Sequence, residues 1–343
     1  MSSPVLQTAT ELSIVLLPEF GWTIQDQLVY GPGSVFQGYV QLTLEQQVVA
    51  DRLRLVFHAS ESTFQHEYRE QFFGTQRILW ENKTSDGVLG EPSYRFYFTI
   101  QMPLVQFPPS MLDEQYRCAF KLTAHLDLPN GRSIQAQKPV LYMPFIETSL
   151  LKTPLELKDT SHNTTVSFKV CALDYVPGDV LTGTLKFESE ATEVSMKLHR
   201  ISTLNHGKQQ YTGVVASSVH KLYNARTEIT LDLPQDLTPS FSYGRVMSVA
   251  YKLSVKVERK GALRSKQWTF DLPITIGTLG YGIRASDELQ LYTSFRRVFD
   301  TNSSNSSDPL LPVPRFMRAI EYEESLPVYE SDRLPSYDTT VVP

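Results

Sequence analysis

Two short stretches near the end of the chain carry the residue types best suited to a defined chemistry. Leu326-Pro327-Val328-Tyr329 and Leu334-Pro335-Ser336-Tyr337 both read Leu-Pro-x-Tyr. Proline favours the extended polyproline II helix, which has about three residues per turn and loses little entropy on docking in an aromatic groove. Leucine and tyrosine at i and i+3 therefore share a face, and tyrosine supplies a large amphipathic anchor. This is the chemistry of the Pro-Pro-x-Tyr ligand of WW domains, with leucine replacing the first proline. Leucine keeps an apolar contact and gives up preorganisation, so each copy alone binds weakly. A partner with several WW domains would recover affinity through effective concentration.

Catalytic patterns are missing. The sequence has no Gly-x-Ser-x-Gly elbow, no phosphate loop ending in Gly-Lys-Ser/Thr and no kinase signature. Gly277-Thr278-Leu279-Gly280-Tyr281-Gly282 is glycine-rich but follows a strand in an all-β pattern, so it reads as an exit turn. The seven histidines include no His-x-His spacing. His58 and His66 can approach across a hairpin, yet a catalytic role needs a carboxylate to converge with them. Cys118 and Cys171 fall on predicted strands and are expected to be buried, reduced thiols. The formal net charge of −5 and the lack of a basic block argue against a nucleic-acid partner. No window approaches the roughly 20 apolar residues of a spanning helix, and the start lacks an export pattern. The expectation is a cytoplasmic protein that is not an enzyme, with no metal and no cofactor.

The folded part is organised by a repeat. Tyr30-Gly31-Pro32-Gly33-Ser34-Val35-Phe36-Gln37-Gly38-Tyr39 returns as Tyr175-Val176-Pro177-Gly178-Asp179-Val180-Leu181-Thr182-Gly183-Thr184. Proline then glycine (Pro32-Gly33, Pro177-Gly178) signals a turn whose glycine takes a positive φ. Alternating apolar residues after each turn predict a half-buried strand. Gly38 and Gly183, inside those strands, imply a bulge or a close backbone approach. Pro109-Ser110 precedes a strand opened by Tyr116, and Pro239-Ser240 one opened by Tyr251. Short strands with turn signals at this density predict tandem immunoglobulin-like β-sandwiches rather than βαβ units. The first spans 1–148 and the second 164–283, joined by a polar hinge at 149–163 that contains Pro154.

Two short helices are expected as well. One lies at Ser110–Glu114. An amphipathic one spans 284–300, where Leu289, Tyr292, Phe295 and Phe299 fall at helical spacing behind a Ser286 cap. Arg296 and Arg297 beside that stripe are compatible with peripheral membrane association. Residues 301–343, polar and proline-rich, read as a disordered tail.

Duplicated sandwiches opening on Pro-Gly-x-Val-x-x-Gly, each with Pro-Ser before a tyrosine-led strand, resemble the arrestin superfamily. The paired Leu-Pro-x-Tyr motifs make the chain look most like an α-arrestin, an arrestin-related trafficking adaptor. That resemblance implies two arrestin-like domains with no catalytic activity. They would bind cytosolic segments of membrane transporters or receptors. The tail, through Leu326, Pro327, Tyr329, Leu334, Pro335 and Tyr337, would engage the WW domains of a HECT-type ubiquitin ligase, so that cargo is ubiquitylated and endocytosed. The protein would work in the cytoplasm and be recruited to plasma membrane or endosomes. The family's usual double proline is absent from both copies. The alternative is a coat or sorting subunit of the same fold, like retromer's arrestin-fold component, without ligase recruitment.

Overall fold

Both Pro-Gly turns adopt the conformation that their residues permit. The computed structural model describes residues 10–18, 22–24, 26–64, 69–83, 88–161, 164–187, 192–204, 209–222, 224–259, 265–296 and 309–317. Gly33 and Gly178 have φ of 70° and 88°, a region that glycine enters without a Cβ clash. Each turn closes through an i+3 bond, Ser34 N–H to Gly31 O at 3.2 Å and Asp179 N–H to Val176 O at 3.1 Å. The Ser34 hydroxyl and the Asp179 carboxylate then reach back to accept the N–H of Gly31 and Val176, at 2.9 and 2.8 Å. One device is built from two different side chains.

The first domain contains, in chain order, β1 (Thr10–Leu16), β2 (Trp22–Ile24), β3 (Gln27–Tyr30), β4 (Val35–Leu44), β5 (Val48–Val49), β6 (Arg52–Thr63) and β7 (Arg69–Glu81). It continues with β8 (Val88–Leu89), β9 (Ser93–Gln101), β10 (Val105–Gln106), β11 (Met111–Leu112), β12 (Tyr116–Asp127) and β13 (Ser133–Tyr142). One of its sheets runs β1-β4-β9; the other runs β2-β3-β13-β12-β6-β7, with β11 on β12. The second domain contains β14 (Leu150–Ser161), β15 (Thr164–Ala172), β16 (Asp174–Tyr175), β17 (Val180–Phe187), β18 (Thr192–Leu204) and β19 (Gln209–Leu222). β20 (Arg226–Asp232), β21 (Met247–Arg259) and β22 (Lys266–Ile276) complete it. Its sheets run β14-β15-β17-β20 and β16-β22-β21-β18-β19. Each domain is therefore a β-sandwich, as the alternation requires.

Period-two patterning puts the core where it was expected. On β4, Phe36, Val40 and Leu42 point inward, and on β21 Tyr251, Leu253, Val255 and Val257 do the same. Each such large apolar side chain contributes about 1.5–3 kcal/mol on burial. The duplication holds down to single bonds. Tyr142 N–H donates to the Ser110 hydroxyl, and Ile276 N–H to that of Ser240, both at 2.9 Å. β13 pairs in parallel with β3, and β22 in parallel with β16. The leading tyrosines diverge: buried Tyr116 donates to Glu61 Oε2 at 2.8 Å, whereas Tyr251 donates to Thr238 O at 2.6 Å.

Five expectations need correcting. The hinge 149–163 is largely strand β14, an edge strand on β15, and Pro154 sits where their register shifts between Leu150 and Leu155. Proline is tolerated there because an edge bulge asks for no ladder N–H. The strand-free connection is instead 143–149. Ser110–Glu114 is not helical; β11 pairs with β12. Over the described part of the expected helix, 284–296, the chain forms β23 (Gln290–Leu291), parallel to β10, and a 3-10 turn, Tyr292–Ser294; 297–300 lie outside the described residues. Residues 309–317, placed in the tail, include Leu311, which is buried, and β24 (Arg315–Met317), antiparallel on β9. Cys118 is buried, but Cys171 occupies an outward position of β15 and is exposed.

Gly131, with φ of 76°, turns β12 into β13 as the Asn-Gly pair predicts. Before that turn, Asp127 accepts from Arg54 Nε at 2.7 Å and Arg52 Nε at 2.8 Å. The Arg54 hydrogen bond leads in lowering the Asp127 pKa from 3.8 to about 2. A depressed folded-state value stabilises above the unfolded value and is lost as pH falls through the folded one. Asp127→Asn should therefore cost about 1 kcal/mol near neutrality, most of it gone by about pH 2 and the rest below it. Urea titrations across that range check it.

Candidate functional site

The two sandwiches meet at a junction that locks their mutual orientation. Thr278 lies at its centre. Its hydroxyl donates to Pro144 O at 2.6 Å and accepts the Ile146 N–H at 2.8 Å, while its own N–H donates to Ile146 O at 2.9 Å. The Thr148 hydroxyl adds a bond to Leu279 O at 2.7 Å. The glycine-rich 277–282 stretch is thus the exit turn that its position predicts, and it also grips the interdomain connection. A Cβ on Gly277 would fall 2.3 Å from Thr148 Cγ2, so only glycine lets the two chains pass this close.

A clasp of charged and aromatic groups closes the junction elsewhere. Arg245, in the loop before β21, reaches Glu70 on β7 of the other domain at 3.0 Å, with both side chains largely buried. The same guanidinium donates to Phe295 O at 2.6 Å and Tyr292 O at 3.3 Å, and stacks 5.0 Å from the Tyr292 ring centre. The Arg245 N–H donates to the Tyr292 hydroxyl at 2.7 Å. Tyr292 is fully buried, against Phe72 at 5.2 Å and Phe107 at 6.0 Å. Burial, reinforced by the Glu61 charge, pushes its phenol well above the usual tyrosine range, so it stays neutral. Tyr243 donates to Phe107 O at 3.0 Å, and Arg200 pairs with Asp113 across the same junction. Burying the Arg245–Glu70 pair is tolerable because the guanidinium keeps further hydrogen bonds, to Tyr292 O and Phe295 O.

The apolar residues of the expected amphipathic helix, Tyr292 and Phe295, therefore face protein. Sequence reasoning found them as a stripe but missed Arg245 and Glu70. These lie 175 positions apart, and nothing local marks them as partners.

A second feature lies on the outer face of β6, β7 and β12. His58, Ser60, Ser62, Arg69, Arg117 and Lys121 line a hollow of about 260 Å³. Register puts Lys121 opposite His58 and Arg117 opposite Ser62 on one face, with Ser62 also opposite Arg69. Small Ser60 and Ala119 form the floor and the cations the rim. Burial first, then the nearby Lys121 and Arg69 charges, lower the His58 pKa. The rim suits an anion. The carboxylate that a catalytic His58 requires is not among the hollow's lining residues, and His66 lies outside the described residues. Among the described residues no group of three or more His, Cys, Asp and Glu is arranged to hold a metal.

Leu326, Pro327, Tyr329, Leu334, Pro335 and Tyr337 all lie outside the described residues. The signature positions are structural. Pro32-Gly33 and Pro177-Gly178 form the turns. Gly38 and Gly183 sit where a Cβ would strike an aromatic ring, Phe98 and Phe168 respectively. That selects the close approach over the bulge, since neither strand shows a register shift there.

Two β-sandwiches on one plan, clasped across a partly buried ion pair, define the architectural class. Residues 160–281 match the family model described as arrestin (or S-antigen), C-terminal domain. The match covers the second sandwich from the end of β14 onward. Comparison with curated proteins returned no match.

Proposed function

We propose that this protein is a non-catalytic trafficking adaptor of the α-arrestin type. The observation that carries the reading is the pair of matched sandwiches, the second with an arrestin C-terminal-domain match, followed in sequence by two Leu-Pro-x-Tyr motifs. The clasp holds the domains at one angle, so their outer faces act as a single docking surface. The basic hollow around His58, Arg69, Arg117 and Lys121 suits an acidic cytosolic segment of a transporter or receptor. The two motifs present a HECT-type ligase through its WW domains, raising its local concentration at cargo lysines. Such an adaptor works from the cytoplasm and is recruited to plasma membrane or endosomes.

Calorimetric titration of the full chain with tandem WW domains tests the ligase half. Tyr329→Ala plus Tyr337→Ala should weaken binding by at least about a hundredfold, because both anchors and their avidity are lost. Unchanged affinity removes ligase recruitment and leaves the sorting-subunit alternative, which predicts a constitutive complex in pull-downs.

A further inference from the structure

β19 ends the sheet β16-β22-β21-β18-β19, so one side of its backbone has no strand partner among the described residues. Its two halves differ. Over the second half, the Ser218 hydroxyl donates to Thr230 O at 2.7 Å, and His220 Nε2 lies 2.7 Å from the same oxygen. β20 ends just after, at Asp232. Beyond it Gln209–Val214 runs in regular register against β18, with Val215 the extra residue where the register shifts.

An open edge is normally blunted by charge or proline. Among the terminal strands, β7 carries Arg69 and Arg77, β14 Pro154 and Lys158, β20 Arg226 and Glu228, and short β1 Glu11. Gln209–Val219 has neither charge nor proline, and Val214 and Val219 are 51% and 63% exposed. Gly213 is a second, separate observation. The other strand glycines, Gly38, Gly74 and Gly183, have an atom of the chain where a Cβ would sit, whereas a Cβ on Gly213 would meet nothing within 4 Å. Glycine inside a strand marks a close approach, and no described part of this chain makes one at Gly213.

We propose that β19 is a dimer edge, on which a second copy of this chain adds its own β19 antiparallel about a twofold axis at Thr212. Opposed residues must share a face, and this axis satisfies that: it sets Tyr211 opposite Gly213 and Gln210 opposite Val214. The match is reciprocal, as an isologous interface requires. Each Tyr211 ring covers the other copy's bare glycine, the arrangement by which an aromatic side chain rescues a strand glycine. Thr212 faces Thr212, a favourable cross-strand pair. A strand of a different protein would meet this complementarity on one side only. No charge opposes another along the ladder. The edge involves neither the clasp nor the Leu-Pro-x-Tyr motifs, so the inference stands independently of ligase binding.

Two measurements on the full chain decide it. Sedimentation equilibrium should show a reversible monomer–dimer equilibrium, and Thr212→Lys should weaken it at least about tenfold, because two lysines then face each other at the axis. Thr212 is exposed on the outer row, so the variant should keep the parent's urea midpoint. In a Cys171→Ser background, Thr212→Cys should form an intermolecular disulfide under mild oxidant, since directly opposed Cα atoms lie about 4.5–5.5 Å apart. Val214→Cys, whose counterpart lies about 13 Å along the ladder, should not. A chain that stays monomeric leaves the edge to a strand of another protein and overturns the proposal. So does a dimer that Thr212→Lys leaves intact, or a cross-link that is absent or equal at the two positions.

Discussion

Replacing Tyr292 with alanine is expected to lower the unfolding free energy by about 3–5 kcal/mol, the usual cost of emptying a buried aromatic site. The side chain is fully buried, touches Phe72 and Phe107 of the first domain, and accepts a hydrogen bond from Arg245 of the second. Its loss therefore opens a cavity and removes the surface on which the guanidinium stacks. Tyr292→Phe keeps the ring and deletes only the acceptor, so about 1 kcal/mol is expected. Arg245→Ala should fall between them: it removes Glu70's ion-pair partner and the bonds to the Tyr292 and Phe295 carbonyls. Because the three groups form one network, the Tyr292→Ala and Arg245→Ala costs should sum to more than the double variant loses. Urea titration of the four chains reads this order. A Tyr292→Ala cost below about 1 kcal/mol would mean that the clasp does not hold the domains together.

The parts of the fold that were legible in the sequence are those fixed by local pattern. Alternation on β4 and β21 and the Pro-Gly turns at Gly33 and Gly178 depend on a few neighbouring residues, so one chain suffices to read them. Boundaries failed where tertiary partners decide conformation. Leu289, Tyr292 and Phe295 have a spacing that suits a helix, but β10 offers backbone partners to Gln290 and Leu291, and Tyr292 gains more by filling the junction. Polar, proline-bearing 149–163 looked like a hinge because an edge strand tolerates both features. Leu311 and Phe316 are too sparse in a proline-rich stretch to announce a strand. The clasp was invisible for the same reason: an arginine and a glutamate in different domains carry no shared local signature. The basic hollow was hidden because strand pairing, not sequence spacing, brings Arg69, Arg117 and Lys121 together.

The two strand glycines give the prediction that separates packing from backbone constraint. A Cβ on Gly183 would lie 2.3 Å from Phe168 Cε2 and 2.6 Å from its Cζ, with the nearest backbone atom, Lys169 O, at 3.5 Å. A Cβ on Gly38 would lie 2.7 Å from Phe98 Cζ but also 2.3 Å from Val15 O. Both alanine variants should lose about 1–3 kcal/mol or somewhat more, as overpacked cores do. They should differ in rescue. Trimming the ring with Phe168→Leu makes room at Gly183, so that double variant should recover about 1–2 kcal/mol relative to the sum of the singles. Phe98→Leu cannot make the same room at Gly38, because the carbonyl of β1 still blocks the new methyl group and must move. Since β1 is the edge strand paired to β4, with Leu16 opposite Gly38, Gly38→Ala should instead loosen β1, seen as faster amide exchange across residues 10–16. Equal rescue at the two sites would show that the ring contact alone sets the need for glycine, and that β1 yields without measurable cost.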